Sequence, residues 1–410
     1  MATVTSIELD ARQDELRELR RRLRRQQVLR RRLAALGIVA ALIALGIGIG
    51  RVLGNVGVGS VSLSPAAVAL PASPYHARLP VEMRGVHVTM NLASLPGKLA
   101  DYVALRKQGL NTLELDVKDE NGHVGFTGGV PEIARADGAA APYYDPAKVV
   151  RQAHAAGLYL IGRVVTFEDP TTAAAHPELA IHMADGSLWH TAGGLAWLNP
   201  YSRKAWAYDV GVAVAAAKAG FDEIQFDYVR FPSDGDLSLI RYPGAHPQPM
   251  RETIAAFLRY AASRLHPLGV RVSADVFGLS ATRDLGIGQY PGQIGQVVDA
   301  IYPMTYPSHY TAGEFDLPDP NAAPGKTVAF SLRDFRSKLA GSNARLVPWL
   351  QDFSLYGRPY TAADVAAQVA AARRYQASGF MLWNAAGLYT AGALAPGPPP
   401  DLPDLARPGL

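Results

Sequence analysis

Gly220-Phe-Asp-Glu-Ile-Gln-Phe-Asp-Tyr-Val-Arg-Phe-Pro232 is the stretch that decides the fold. Its glycine closes a helical pattern over 202–219, the position where a left-handed C-cap is favoured. The residues that follow alternate with period two. Ile224 and Phe226 share an apolar face, and Glu223, Gln225 and Asp227 share a polar one. A strand entered from a helix is a βα unit. In a closed barrel of such units the apolar set faces outward beneath the helices and the polar set faces the axis. Arg271-Val-Ser-Ala-Asp275 repeats the pattern, with Ser273 and Asp275 inward. In Leu113-Glu-Leu-Asp-Val-Lys118 the inward set is Glu114, Asp116 and Lys118. Acids on the inner faces of three strands exceed what a purely structural barrel requires.

Outward from these segments, strands are predicted over 84–89, 112–117, 158–165, 222–228, 271–276, 298–304, 345–350 and 379–383. Helical patterns lie between most of them, as over 95–108, 146–156, 202–219, 251–265 and 362–377. Gly109, Gly157, Gly220 and Gly379 each precede a strand by a few residues or open it. The reading is an α/β protein, a (β/α)₈ TIM barrel over residues 83–393 preceded by an N-terminal transmembrane helix. The competing open doubly wound sheet lacks a glycine-rich phosphate loop after its first strand. Long connections, 169–201 and 232–249, leave the C-terminal ends of strands three and four, the face where barrel enzymes keep their active sites. The tail over 394–410 is proline-rich and expected to be disordered.

A chain of 410 residues accommodates one barrel of about 250 residues or more with appendages. With no cysteine, disulfides and cysteine metal sites are excluded. The net charge of +4 belongs to one end. Eleven arginines against five acids fall in residues 1–51, so the remainder sums to −2. No basic groove is indicated, and no nucleic-acid partner is expected. Residues 1–32 read as an arginine-rich cytoplasmic helix. The uncharged run 33–50 would span about 27 Å as a helix, close to a bilayer's hydrocarbon core. Arginines before it place the barrel on the extracytoplasmic side, held in the cell membrane by a single-pass signal anchor. The alternatives are a signal peptide cleaved near residues 69–72, which gives a secreted protein, and a buried helix of a soluble domain. Residues 51–82 read as a linker.

Hydrolysing a glycosidic bond needs two carboxyl groups, one to protonate the leaving oxygen and one to attack the anomeric carbon or activate water. Asp227 and Asp275 are the candidates, each ending an inward-facing strand. Asp227 is read as nucleophile or stabilising carboxylate, with Arg230 as its countercharge. Asp275 is read as acid/base, its carboxyl raised by apolar neighbours and by Asp227. Asp116, Asp119 and Glu120 form a further acidic cluster that could supply a catalytic carboxylate instead or bind sugar hydroxyls, and Glu168 and Asp169 are weaker candidates. Aromatic rings stack on sugar faces, and they gather at strand ends: Tyr228, Tyr302, Tyr306, Trp349 and Trp383, with Trp197 from the long connection. Arg230 and Asn384 complete the expected substrate-binding set, and His87 and His309 lie at the same rim. No cofactor is expected. No metal is assigned, since a cation held by Asp116, Asp119 and a neighbour has no diagnostic spacing.

The chain from Arg84 to about Ala393 resembles the bacterial putative glycosyl hydrolase domain family. The resemblance is carried by Thr112-Leu-Glu-Leu-Asp-Val-Lys-Asp-Glu120, Gly194-Leu-Ala-Trp-Leu-Asn-Pro-Tyr201, and above all the Gly220–Pro232 stretch. Ser273-Ala-Asp-Val-Phe-Gly278, Pro303-Met-Thr-Tyr-Pro307 and Phe380-Met-Leu-Trp-Asn384 match as well. It implies a TIM barrel and a polysaccharide or oligosaccharide substrate. The arrangement is also similar to barrel glycosidases with one acid at the end of strand four and another on strand five, here Asp227 and Asp275. Strand five departs from many of them in offering aspartate where they place glutamate. The expected function is a glycosidase acting on extracellular or cell-envelope polysaccharide. The alternatives are a non-catalytic glycan-binding barrel on a membrane anchor, and a structural membrane protein whose arginine-rich helix meets a cytoplasmic partner.

Overall fold

The computed structural model describes residue 75, residues 77–246 and residues 248–397. The arginine-rich arm 1–32, the apolar run 33–50, most of the linker 51–82 and the tail beyond 397 lie outside the described residues. No helix among the described residues is long and apolar enough to cross a membrane.

The strands are β1 (Met83–Val88), β2 (Thr112–Lys118), β3 (Tyr159–Val165), β4 (Glu223–Asp227), β5 (Arg271–Phe277), β6 (Ala300–Met304), β7 (Arg345–Leu346), β8 (Trp349–Gln351) and β9 (Gly379–Trp383). All their pairings are parallel. β1 pairs with both β2 and β9, and β5 pairs with β6, so the sheet closes on itself. That closure replaces the open-sheet alternative. β7 and β8 are two pieces of one stave along β6, interrupted at Pro348, which has no N–H to give the ladder. The barrel therefore has eight staves.

The longer helices are α1 (Lys98–Ala104), α2 (Pro146–Ala155), α3 (Arg203–Ala219), α4 (Met250–Leu265), α5 (Pro324–Lys338) and α6 (Ala362–Arg374). Their starts follow local chemistry. The Asp145 carboxylate accepts from the amides of Ala147 and Lys148, and Thr361 with Asp364 forms a capping box. Gly220 ends α3 at φ 109°, and a Cβ there would come within 2.9 Å of Val150. Gly379 opens β9 at φ 125°, where a Cβ would strike the backbone of Met83 at about the length of a bond and a half.

The faces of β4 and β5 fall as the alternation predicts. Ile224, Phe226, Val272 and Ala274 are fully buried in the core between barrel and helices, where the Phe226 and Phe257 rings lie 5.3 Å apart. One expectation is corrected. β2 carries a bulge between Asp116 and Lys118, so Lys118 pairs in register with the outward Val164. Its ammonium lies 2.7 Å from both Asp169 and Asp209 of α3, outside the barrel lumen. Glu223 does face inward, but it builds the lower core. The hydroxyls of Tyr159 and Tyr302 each donate to its carboxylate at 2.9 Å.

The end of the linker is tied to the barrel. The Tyr75 hydroxyl donates to Asp299, and Arg271 and Arg345 donate to the carbonyls of Ala77 and Pro80. The first residues of the tail also pack, with Leu394 buried and Arg373 donating to the Ala395 carbonyl.

Candidate active site

The register pairs Phe226 with Ala274, so the next residues, Asp227 and Asp275, stand on neighbouring staves. Strands in a sheet lie about 4.8 Å apart. Both carboxyls line one cleft of about 580 Å³ at the C-terminal ends of the strands, and they are 5 % and 2 % exposed. Around them stand Arg163, Tyr228, Arg230, Phe277, Tyr306, His309, Trp349 and Trp383, with Leu279, Leu285 and Ile287 from the β5–β6 connection. Apolar walls with a few polar groups are the usual make-up of a small-molecule site.

The two aspartates are held differently. Asp227 Oδ2 receives Arg163 Nε at 2.9 Å and Nη2 at 2.8 Å, and Oδ1 receives the Tyr228 amide at 2.7 Å. Tyr228 supplies that amide from a left-handed conformation, φ 48°, which costs a residue with a side chain on the order of 1 kcal/mol. Among the described residues, Asp275 Oδ1 receives only the Trp349 indole N–H, at 2.7 Å. Burial, and then the charge of Asp227, push the Asp275 carboxyl well above the ordinary aspartate range. The pair thus offers one carboxylate with a dedicated cation and one carboxyl inclined to hold its proton. The expected countercharge was Arg230; Arg163 of β3 takes that place, because it faces the lumen beside β4. The lumen-facing positions Tyr159, Ile161 and Arg163 show the same alternation as β4, which is the signal that identifies it.

Arg163 also donates from Nη1 to Asp116 at 2.7 Å. Below, His87 Nδ1 and Glu114 Oε2 approach to 2.5 Å, and the His87 ring stacks on Trp383 with centroids 4.2 Å apart. Burial pushes the imidazole down to about 4 and the Glu114 carboxyl well up, so it opposes charge on both partners. Glu168 accepts from the Trp197 indole at 3.1 Å, and burial raises its carboxyl to about 7 against the opposing charge of Arg230.

Of the expected residues, the cleft brings together Asp227, Asp275, Tyr228, Arg230, Tyr306, Trp349 and Trp383. Five others fall elsewhere. Tyr302 is fully buried against Glu223, and Trp197 is fully buried behind Tyr228, with ring centroids 6.2 Å apart, so neither is a sugar platform. Asp119 Oδ1 accepts from the amides of Asn121 and His123 and builds a turn. Asn384 bridges the Asp352 carbonyl and the Ala386 amide. Asp116 supports Arg163. Leu279, Leu285 and Ile287 were not expected, because the β5–β6 connection lacks the composition of a binding loop; Phe277 at the end of β5 and Tyr310 beyond β6 were not expected either.

Residues 85–389 match the family described as "Putative glycosyl hydrolase domain". Among curated proteins no match is found. Among solved structures, a hypothetical protein from Ruminiclostridium thermocellum is 35 % identical over 47 % of this chain and 97 % of its own, with a TM-score of 0.43. The glycoside hydrolase domain of PgaB (BpsB) from Bordetella bronchiseptica is 13 % identical over 74 % of this chain and 94 % of its own, with a TM-score of 0.53. The catalytic domain of β-amylase from Paenibacillus polymyxa is 12 % identical over 78 % and 96 %, with a TM-score of 0.50. At those identities the last two establish likeness of fold alone.

Proposed function

The chain belongs to the putative glycosyl hydrolase domain family, and from that premise we propose that it hydrolyses glycosidic bonds in cell-envelope or extracellular polysaccharide. The observation that carries the reading is the differently held carboxyl pair in one aromatic-walled cleft. In the proposed reaction Asp275 gives its proton to the glycosidic oxygen, which leaves as a hydroxyl. Asp227 meets the positive charge that develops at the anomeric carbon, as nucleophile or as the base that activates water, and water supplies the new hydroxyl there. Trp383 and Tyr306 would carry sugar faces.

The test is release of reducing ends from envelope polysaccharides as a function of pH. A carboxyl that must be protonated gives an alkaline limb, with activity lost as pH rises through its folded value. The Trp349 N–H favours the charged form of Asp275, so Trp349→Phe should move that limb to higher pH. Asp275→Asn should lower turnover about 100-fold or more and remove the limb. An alkaline limb unchanged in both variants would exclude Asp275 as the acid.

The apolar run 33–50, preceded by arginines, supports a further proposal: a single-pass anchor with the barrel on the extracytoplasmic side. Deleting residues 1–51 should release the protein from the membrane fraction, and a product that still sediments with membranes would contradict the anchor.

A further inference from the structure

Arg230 lies in the wall of the cleft and is 7 % exposed. Three rings hold its guanidinium, Phe277 at 4.7 Å, Trp197 at 4.9 Å and Tyr228 at 5.0 Å. Nη1 donates to the Phe231 carbonyl at 3.1 Å and to Ser233 Oγ at 3.0 Å. Among the described residues, Nε and Nη2 have no hydrogen-bond partner, and no carboxylate lies within the 4.0 Å of an ion pair. Glu168, Asp227 and Asp234 act on it only at longer range.

The other cleft arginine is the contrast. Arg163 is consumed by Asp116 and Asp227. A buried cation without a contact partner is costly. Aromatic rings offset part of that cost, but they leave the in-plane N–H groups unused. A guanidinium with one edge unpaired matches the two oxygens of a carboxylate or phosphate. Within the cleft, Asp227 is already neutralised by Arg163, and Asp275 is inclined to keep its proton, so an incoming anion meets little uncompensated negative charge.

We propose that the cleft takes an acidic glycan and that Arg230 binds the carboxylate or phosphate substituent of the unit seated beside Asp227. This inference rests on the reading of the cleft as a glycan-cleaving site and narrows its substrate. The full chain is assayed for binding to bacterial envelope glycans separated by anion exchange into neutral and anionic pools. The anionic pool is also presented after reduction of its carboxylates to alcohols, and separately after removal of its phosphates. Binding should favour the anionic pool and fall about 10- to 100-fold after one of the two treatments, which identifies the source of the anion. Arg230→Gln should cause the same loss on the anionic pool and a clearly smaller one on neutral glycans, and Arg230→Lys, which keeps the charge but not the fork, should recover part of it. Because the chemical treatments act on the wild-type protein, the result does not depend on either variant folding. Preference for the neutral pool, or an anionic preference that survives in Arg230→Gln, overturns the inference and leaves the glycosidase reading standing. Binding to none of the pools overturns both.

Discussion

Asp227→Asn is expected to lower turnover roughly 10⁴-fold while glycan binding stays within about threefold of the parent. The amide has nearly the shape of the carboxylate but cannot attack or hold a cationic anomeric centre. Its amide oxygen, set where Oδ2 now stands, can still accept both arginine N–H groups, but its NH₂ then points toward the Tyr228 amide, donor against donor, where the carboxylate now accepts at 2.7 Å. A stability loss of about 1–3 kcal/mol therefore accompanies the change, and retained binding separates it from the chemical loss. The substitution also reaches Asp275. The charge of Asp227 is second only to burial among the causes that raise the Asp275 carboxyl, so its removal should let that carboxyl titrate at lower pH. Carbon NMR of the Asp275 carboxyl in both proteins measures that displacement. A non-catalytic glycan-binding barrel would show the titration change with no turnover to lose; turnover unchanged in Asp227→Asn would remove Asp227 from the mechanism.

The alternation in 220–232 was enough to place the barrel and to aim Asp227, because side chains on a strand have only two sides. The same rule failed at Lys118, where one inserted residue reverses the side without leaving a mark in the composition. It also could not rank the inward acids. Glu223 and Asp227 look alike four residues apart on one face, yet Glu223 meets two tyrosine hydroxyls from β3 and β6, while Asp227 meets Arg163 at the mouth of the cleft. Those partners come from strands about 60 residues or more away, and their choice depends on stave order and shear. Trp197 illustrates the remaining difficulty. Its place in the connection after β3 is plain in the sequence, but whether a ring shows its face to a cleft or supports the residue that does is decided by a few ångströms of depth.

Lys118→Met is expected to be the most damaging single substitution for stability, costing about 3–5 kcal/mol at neutral pH. The ammonium has no exposure, and it serves Asp169, Asp209 and the Thr166 carbonyl together, with the Tyr208 ring 5.0 Å away. Methionine fills the space but leaves two buried carboxyls without their cation. In a domain of this size the cost corresponds to a fall in Tm on the order of 10 °C. Its pH dependence gives the sign. Burial already raises Asp209 to about 7 even with Lys118 present, and losing the cation raises it further. A carboxyl whose folded value is raised contributes stability that is fully present below its unfolded value and is lost as pH rises through the folded one. The variant should therefore regain stability, relative to the parent, as pH is lowered from 8 toward 5, and Asp209→Asn added to it should recover part of the loss at pH 8. Thermal unfolding across that range measures both effects; a penalty independent of pH would mean that packing, not charge, carries the interaction. The consequence extends to the cleft, because Thr166 and Asp169, both tied to Lys118, bracket Glu168. Releasing that loop should loosen the Glu168–Trp197 contact on which Tyr228 and Arg230 rest, so kcat should fall at temperatures where the barrel is still folded.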